Sequence, residues 1–423
     1  MASETCEELV HAFAGLAGSV EITPELALPL AGYGRRHAPF AAISDALEAN
    51  AVVIRSGDRV CVFLSLDLLY VGSGLRNRIA ASIADRVASE DLFVSASHTH
   101  FAPASDPQLP MLGATSEAYV DFVTRRVAAM LDRLLRGAPA PVSVIHTTGT
   151  ADHSINRRLS VFGLGKDFPP LRTRVEMRPN PDGPRDESLR LLVLRGRGGA
   201  PIAVCWGYAC HPVCFPRTNC ISADFPGVVR RALRKNFGSI PVIYWQGFSG
   251  DTRPRTMRSA STGPLGIQRP SAFVPFSDDG WNEWSGSLAA RVVEVAGAPG
   301  RTLAGEIRSR RWTVPLSELG PDSAGRDLSI QEIALGPDFS VFGISAELVS
   351  AYSSLLIRAR GASDVIPVGC LDGVPGYIPT GDMVPQGGYE ARGFMKLFGV
   401  TGEFRQDVTK IVDATIFQSP GAT

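Results

Sequence analysis

Apolar and polar positions alternate or recur along most of the chain in patterns that define mixed strands and helices without a repeat. Residues 51–55 and 59–66 ("AVVIR", "RVCVFLSL") are apolar and β-branched on either side of Ser56-Gly57-Asp58, which predicts a hairpin. Ile79, Ile83 and Val87 recur every four residues and predict a helix over 76–88. "LFVSA" at 92–96 reads as a short buried strand. Val120, Val123, Val127, Leu131 and Leu134 predict a helix over 117–136, with Gly137 suited to its C-terminal cap. Residues 189–195 and 201–208 predict a second hairpin around "GRGGA", and "PVIYW" at 241–245 another buried strand. The pattern fails over 253–285, which is rich in Arg, Pro, Ser and Gly; an irregular segment of that length in a compact domain is functional or disordered. A helix over about 286–297, strands to about 344 and a helix from about 347 follow, before the loop-like "DGVPGYIPTGDMVPQGGYEARG". No linker divides the chain, so one α/β domain over 1–423 is expected, with mixed β-sheets flanked by helices.

Composition narrows the functional classes. Of 423 residues, 44% are hydrophobic, and 42 basic side chains balance 42 acidic ones. A formal net charge of zero gives no support to nucleic-acid binding. No apolar run approaches the length of about 18 residues that a membrane helix needs. The opening "MASETCEELVHAFAGLAG" places Glu4, Glu7 and Glu8 where an export signal carries positive charge. Seven cysteines, an odd count, then read as reduced thiols in a cytoplasmic protein. The expected partner is a small-molecule substrate, with neither nucleic acid nor membrane involved; the sequence leaves the oligomeric state open.

Candidate chemistry gathers at strand ends, where α/β proteins form their clefts. His98 and His100 follow the strand 92–96, and in an extended segment side chains two apart face the same side. His211 ends the apolar run "IAVCWGYACHPVCF". Two strands ending in histidine suggest convergence on a metal, against the alternative of polar loop residues. Cys205, Cys210, Cys214 and Cys220 lack the paired spacing of a thiolate site and read mostly as small buried hydrophobes. In "YWQGFSGDTRPR", Gly247 and Gly250 permit a sharp turn, and Asp251 either orients a ligand histidine or caps that turn. Ser249 does not sit in G-x-S-x-G, so a nucleophile elbow is weakly supported.

In order along the chain, "ITPELALPLAGYGRR", "VFLSLDLL", "SASHTHFAP", "INRR", "ACHPV" with "ISADFPG", "QGFSGDTRP", "GISAELV" and "GYIPTGDMVPQGGYEA" resemble the neutral, non-lysosomal ceramidase family, from about residue 20 to about 400. The resemblance implies a zinc-dependent amide hydrolase with an α/β catalytic domain. It implies zinc ligation by His98, His211, Glu347 and Tyr377, although "SAE" replaces the family's Gly-Glu pairing. It places Tyr389, twelve residues after Tyr377, at the substrate carbonyl, and an arginine, Arg157 or Arg158, in the site. His100 then faces the same cleft unmetallated, for hydrogen bonding or proton transfer.

The chain departs from the family at Gly250-Asp251-Thr252-Arg253-Pro254, where "G-D-V-S-P" carries an active-site serine. Arg253 puts a fixed cation there. Family ceramidases are also longer, with a C-terminal immunoglobulin-like domain and a secretory route, neither of which is expected here. These departures favour a small soluble, anionic N-acyl or amide substrate over a membrane sphingolipid, with Arg253, Arg158 and Arg255 as binding residues. The alternatives are an acyltransferase or amide-forming biosynthetic enzyme on the same zinc scaffold, and a non-catalytic ligand-binding relative.

Overall fold

A computed structural model describes residues 13–34, 36–164, 171–262, 268–361 and 364–418. Glu4, Glu7 and Glu8, on which the expected cytoplasmic location partly rests, lie outside the described residues. The widest sheet has nine strands. Eight follow one path, in the order Val242–Gln246, Pro201–Tyr208, Ser188–Arg195, Ala140–Thr150, Phe13–Glu21, Glu48–Ser56, Arg59–Leu66, Leu92–Ala96; Arg301–Leu303 also pairs with Ala140–Thr150. Both predicted hairpins form, pairing Val53 with Val62 and Val204 with Val193. The outermost pair at each end of the sheet is parallel.

The sheet curls until its two edges meet. Ser65 Oγ donates to the Tyr244 carbonyl at 2.9 Å, and Val242 N donates to Asn50 Oδ1 at 3.2 Å. Buried edge groups need partners, and the segment 369–372 supplies them to both edges. Gly369 N donates to Gln246 O at 2.7 Å on one side; on the other, Ala96 N donates to Cys370 O at 3.2 Å and Asp372 N to Val94 O at 3.1 Å. The ends of Leu92–Ala96, Pro201–Tyr208 and Val242–Gln246 are thereby brought to one place.

A second sheet, Ile307–Val314, Leu328–Leu335, Phe339–Ile344 and Asp364–Val368, covers one face of the first. Phe63, Phe93 and Trp245 of one sheet pack with Val341, Ile366 and Ile333 of the other, all buried. Each such side chain contributes about 1.5–3 kcal/mol relative to exposure. Helices Ser73–Ala81 and Glu117–Arg136 cover part of the opposite face, and Asp224–Phe237 and Asp278–Gly297 another part. These are mixed sheets flanked by helices, as expected.

Helix Glu117–Arg136 has the predicted bounds, with Ser116 Oγ accepting from Tyr119 N at 3.4 Å. Gly137 ends it in an extended conformation (φ −66°), not the left-handed one favoured at such caps. The helix predicted over 76–88 is instead Ser73–Ala81, followed by turns. Ser82 closes it: its amide bonds Arg78 O and Ile79 O, and its hydroxyl donates to Ile79 O at 2.7 Å. Ile83 and Val87 are buried all the same. The irregular stretch is shorter than predicted, because Ser277 caps a helix that starts at Asp278. Glu347–Leu348 is a strand, and the helix predicted from about 347 begins at Ala351.

Candidate metal centre and its cleft

His98 does not sit in an extended segment. Its φ is +64°, so the alternation used to align it with His100 does not operate there. The two rings converge through this left-handed turn instead, with centroids 5.1 Å apart, and His211 lies 4.9 Å from His98 and 6.2 Å from His100. Ring nitrogens of all three lie within 4.8 Å of one another. Backbone carbonyls fix the rings. His98 Nδ1 donates to Leu69 O at 3.1 Å, and His211 Nδ1 to Ser249 O at 2.8 Å and Thr252 O at 2.9 Å. This leaves each Nε2 turned inward, the side that a metal-ligating imidazole presents.

Glu347 reaches the same point from another element. The strand Glu347–Leu348 pairs in parallel with Tyr377–Ile378, in a register that sets Glu347 opposite Tyr377. Glu347 Oε2 is 2.9 Å from His211 Nε2 and 3.5 Å from His98 Nε2, and Tyr377 Oη is 3.4 Å from His211 Nε2. Two donors on one tetrahedral zinc are about 3.4 Å apart when each bond is about 2.0–2.2 Å. The spacings bracket that value, and His98 Nε2 and Glu347 Oε2 are buried with no hydrogen-bond partner. The donor set therefore fits a small cation. Tyr70, which sequence reasoning missed, donates to Glu347 Oε1. Gly250 makes room for this strand: a Cβ there would lie 2.7 Å from Glu347 O.

Burial, then the Arg157 charge, lowers His211 to about 4. Burial and the two neighbouring histidines hold His100 well below its usual range. His98 moves oppositely: against burial, Cys370 and Glu347 beside it hold it well above. Both nitrogens of His100 are buried and unpartnered, which leaves them free for hydrogen bonding or proton transfer.

Arg157 and Arg158 are consecutive yet reach one carboxylate, because the ladder with Leu171–Asn180 is irregular between Asn156 and Arg158. Arg157 Nε donates to Glu390 Oε1 at 2.8 Å and Arg158 Nη1 to Glu390 Oε2 at 2.7 Å. Arg157 also lies 5.8 Å from the Tyr377 ring centroid and 5.6 Å from that of Tyr389. It thus borders both tyrosine rings, whereas Arg158 is turned to Gly387 O at 2.9 Å. Glu390, the hub of this arrangement, gave no signal in the sequence beyond adjoining Tyr389.

One expected role changes, and two expected binding residues already have protein partners. Asp251 does not orient a ligand histidine: its carboxylate accepts from Asn156 Nδ2 at 2.9 Å and Ser350 N at 2.7 Å, and carbonyls hold His211 instead. Arg158 is taken up by Glu390 and Gly387 O, and Arg255 pairs with Asp152 while its Nε stays buried without a partner. Arg253 lines a cleft of about 540 Å³ with Arg36, Tyr33, Phe215 and Phe273. The cleft adjoins the histidines through Tyr33, whose ring is 5.1 Å from that of His100.

Comparison with solved structures agrees with this architecture. The neutral ceramidase of Pseudomonas aeruginosa superposes with a TM-score of 0.74 over 97% of this chain and 76% of its own, at 16% identity. The chain has the neutral ceramidase fold. A second structure, described as ceramidase complexed with C2, gives a TM-score of 0.73 over 96% of this chain and 74% of that one, also at 16% identity. No family model and no curated protein matches the sequence. The neutral ceramidase fold is thus shared while the residues have diverged widely.

Proposed function

We propose that the protein is a zinc-dependent amide hydrolase acting on a small soluble N-acyl or amide compound that carries an acidic group. The observation that carries this reading is the buried donor set: His98 Nε2, His211 Nε2, Glu347 Oε2 and Tyr377 Oη around one point, two of them without hydrogen-bond partners. Zinc held by these residues would polarise an amide carbonyl and bring the pKa of a bound water towards about 7. Arg157 and Tyr389 face the negative charge that develops on the carbonyl oxygen. Neutral His100, whose two ring nitrogens have no hydrogen-bond partner, accepts or returns the proton. Arg253 on the adjoining cleft supports an acidic substrate. A cytoplasmic location fits the described cysteines, Cys61, Cys205, Cys210, Cys214, Cys220 and Cys370, which are all free thiols. No described helix is long and apolar enough to cross a membrane.

Elemental analysis of purified protein and of His98→Ala tests the metal. We expect about one zinc per chain, lost in the variant; equal zinc in both would overturn the ligand set. Amine release from a panel of N-acyl compounds tests the reaction, and product formation only with an added amine acceptor would point to acyl transfer instead.

A further inference from the structure

We propose that the cleft beside His100 is a subsite for an acid group borne on an apolar body, which makes the substrate an amphiphilic monoanion rather than a neutral or purely polar amide. The substrate assignment rests on the hydrolase reading above; the subsite itself does not.

Two guanidiniums line this cleft, Arg36 and Arg253. Arg36 donates to Thr218 O at 3.2 Å and His100 O at 2.9 Å, and its Cζ lies 4.6 Å from the Tyr33 ring centroid. Arg253 Nη2 donates to Cys214 Sγ at 3.1 Å, its Cζ lies 4.4 Å from the Phe273 ring centroid, and its Nε is buried with no hydrogen-bond partner. Among the described residues these partners are carbonyls, a thiol and rings, none of them anionic. Elsewhere around the site the arginines have carboxylates: Arg157 and Arg158 share Glu390, Arg255 has Asp152 and Arg230 has Asp67. Two cations on one half-enclosed cleft, each without an anionic partner among the described residues, favour the entry of an anion.

Neighbouring acidic groups do not supply it. Burial keeps the Cys214 thiol protonated by pushing its pKa up. The Asp224 carboxylate is already taken by the amides of Cys214, Phe215 and Phe225. Apart from Thr218 and Asn219 the remaining walls are apolar, with Phe215, Phe273, Phe276 and Val274 facing the space. Guanidinium pairs accept carboxylate and sulfonate alike, and the phenyl rings favour a hydrocarbon or aromatic body. Arg36 bonds the His100 carbonyl, so the acid end binds next to the reacting centre, not at a remote surface.

Isothermal titration with 3-phenylpropionate, 2-phenylethanesulfonate and the neutral 3-phenylpropanamide tests the subsite. Sulfonate is a poor zinc ligand, so it reports on the arginines rather than on the metal centre. We expect both acids to bind the unsubstituted protein at least about tenfold more tightly than the amide. Arg36→Met and Arg253→Met should each weaken the acids by about tenfold or more and leave the amide unchanged. His98→Ala should keep the sulfonate affinity even if it loses zinc, which separates this proposal from the hydrolase reading. Equal binding of acid and amide to the unsubstituted protein, or no binding of either acid, overturns it without any variant. Acid binding that survives both methionine substitutions but disappears in His98→Ala overturns it as well, by placing the acid on the metal centre.

Discussion

His98 and His100 sit two residues apart and present different chemistry. His98 has one nitrogen fixed by a carbonyl and the other aimed at Glu347; His100 has two buried nitrogens without partners. We expect His100→Ala to keep its zinc and lose at least about 10²-fold in turnover; metal analysis beside steady-state kinetics checks it, and loss of zinc would instead make His100 a ligand. Tyr70 acts one step further out, by donating to the carboxylate oxygen of Glu347 that faces away from the histidines. Tyr70→Phe should weaken zinc by about 10–100-fold in a chelator competition while the fold persists. At this scale the histidines were legible because a polar residue that ends an apolar strand stands out in sequence. Glu347, Tyr377, Tyr389 and Arg157 were reachable only through resemblance. Tyr70 and Glu390 were not legible, since their meaning lies in neighbours 277 and 233 positions away.

Elements whose own residues decide their limits were read correctly from the pattern. Helix Glu117–Arg136 carries its cap and its apolar stripe within itself, and the two hairpins carry their turns. Removing the cap oxygen in Ser116→Ala should cost about 1 kcal/mol in a denaturant titration. Where the pattern misled, a side chain or a distant strand had intervened: Ser82 stops the first helix, and pairing with Tyr377–Ile378 draws Glu347–Leu348 out of the predicted helix. The turn after Val242–Gln246 depends on the same kind of remote contact. Gly250 N donates to Leu348 O at 2.8 Å, and a methyl group there would push on Glu347 O and Leu348 O. We expect Gly250→Ala to lose about 1–3 kcal/mol and also to weaken zinc, because the displaced strand carries the proposed ligand Glu347. Unchanged stability together with unchanged zinc affinity would remove the link between turn and ligand.

Across the whole molecule, buried carboxylates set a pH dependence. Burial raises Asp224 to about 7 from an ordinary value of 3.8. A folded-state pKa above the unfolded one gives stability that is full below about 4 and lost as pH rises to about 7, because the folded chain retains a proton that the unfolded chain releases. Relative to wild type, Asp224→Asn should therefore gain stability over that window, by up to about 4 kcal/mol, whatever its fixed cost in lost amide contacts; denaturation at pH 4 and pH 7 measures the change. We also propose that residues 1–423 form one cooperative unit, which a single calorimetric transition would support and two separated transitions would refute. The segment 369–372, which bonds both rims of the curled sheet, bears on synthesis as well. Until those residues have left the ribosome, the outer edges of Leu92–Ala96 and Val242–Gln246 remain unpaired templates for neighbouring chains, and Tyr377 has not yet joined His98, His211 and Glu347. A nascent chain is then sticky along both rims until this segment closes them, so shielding of those rims during synthesis governs how much protein survives to fold.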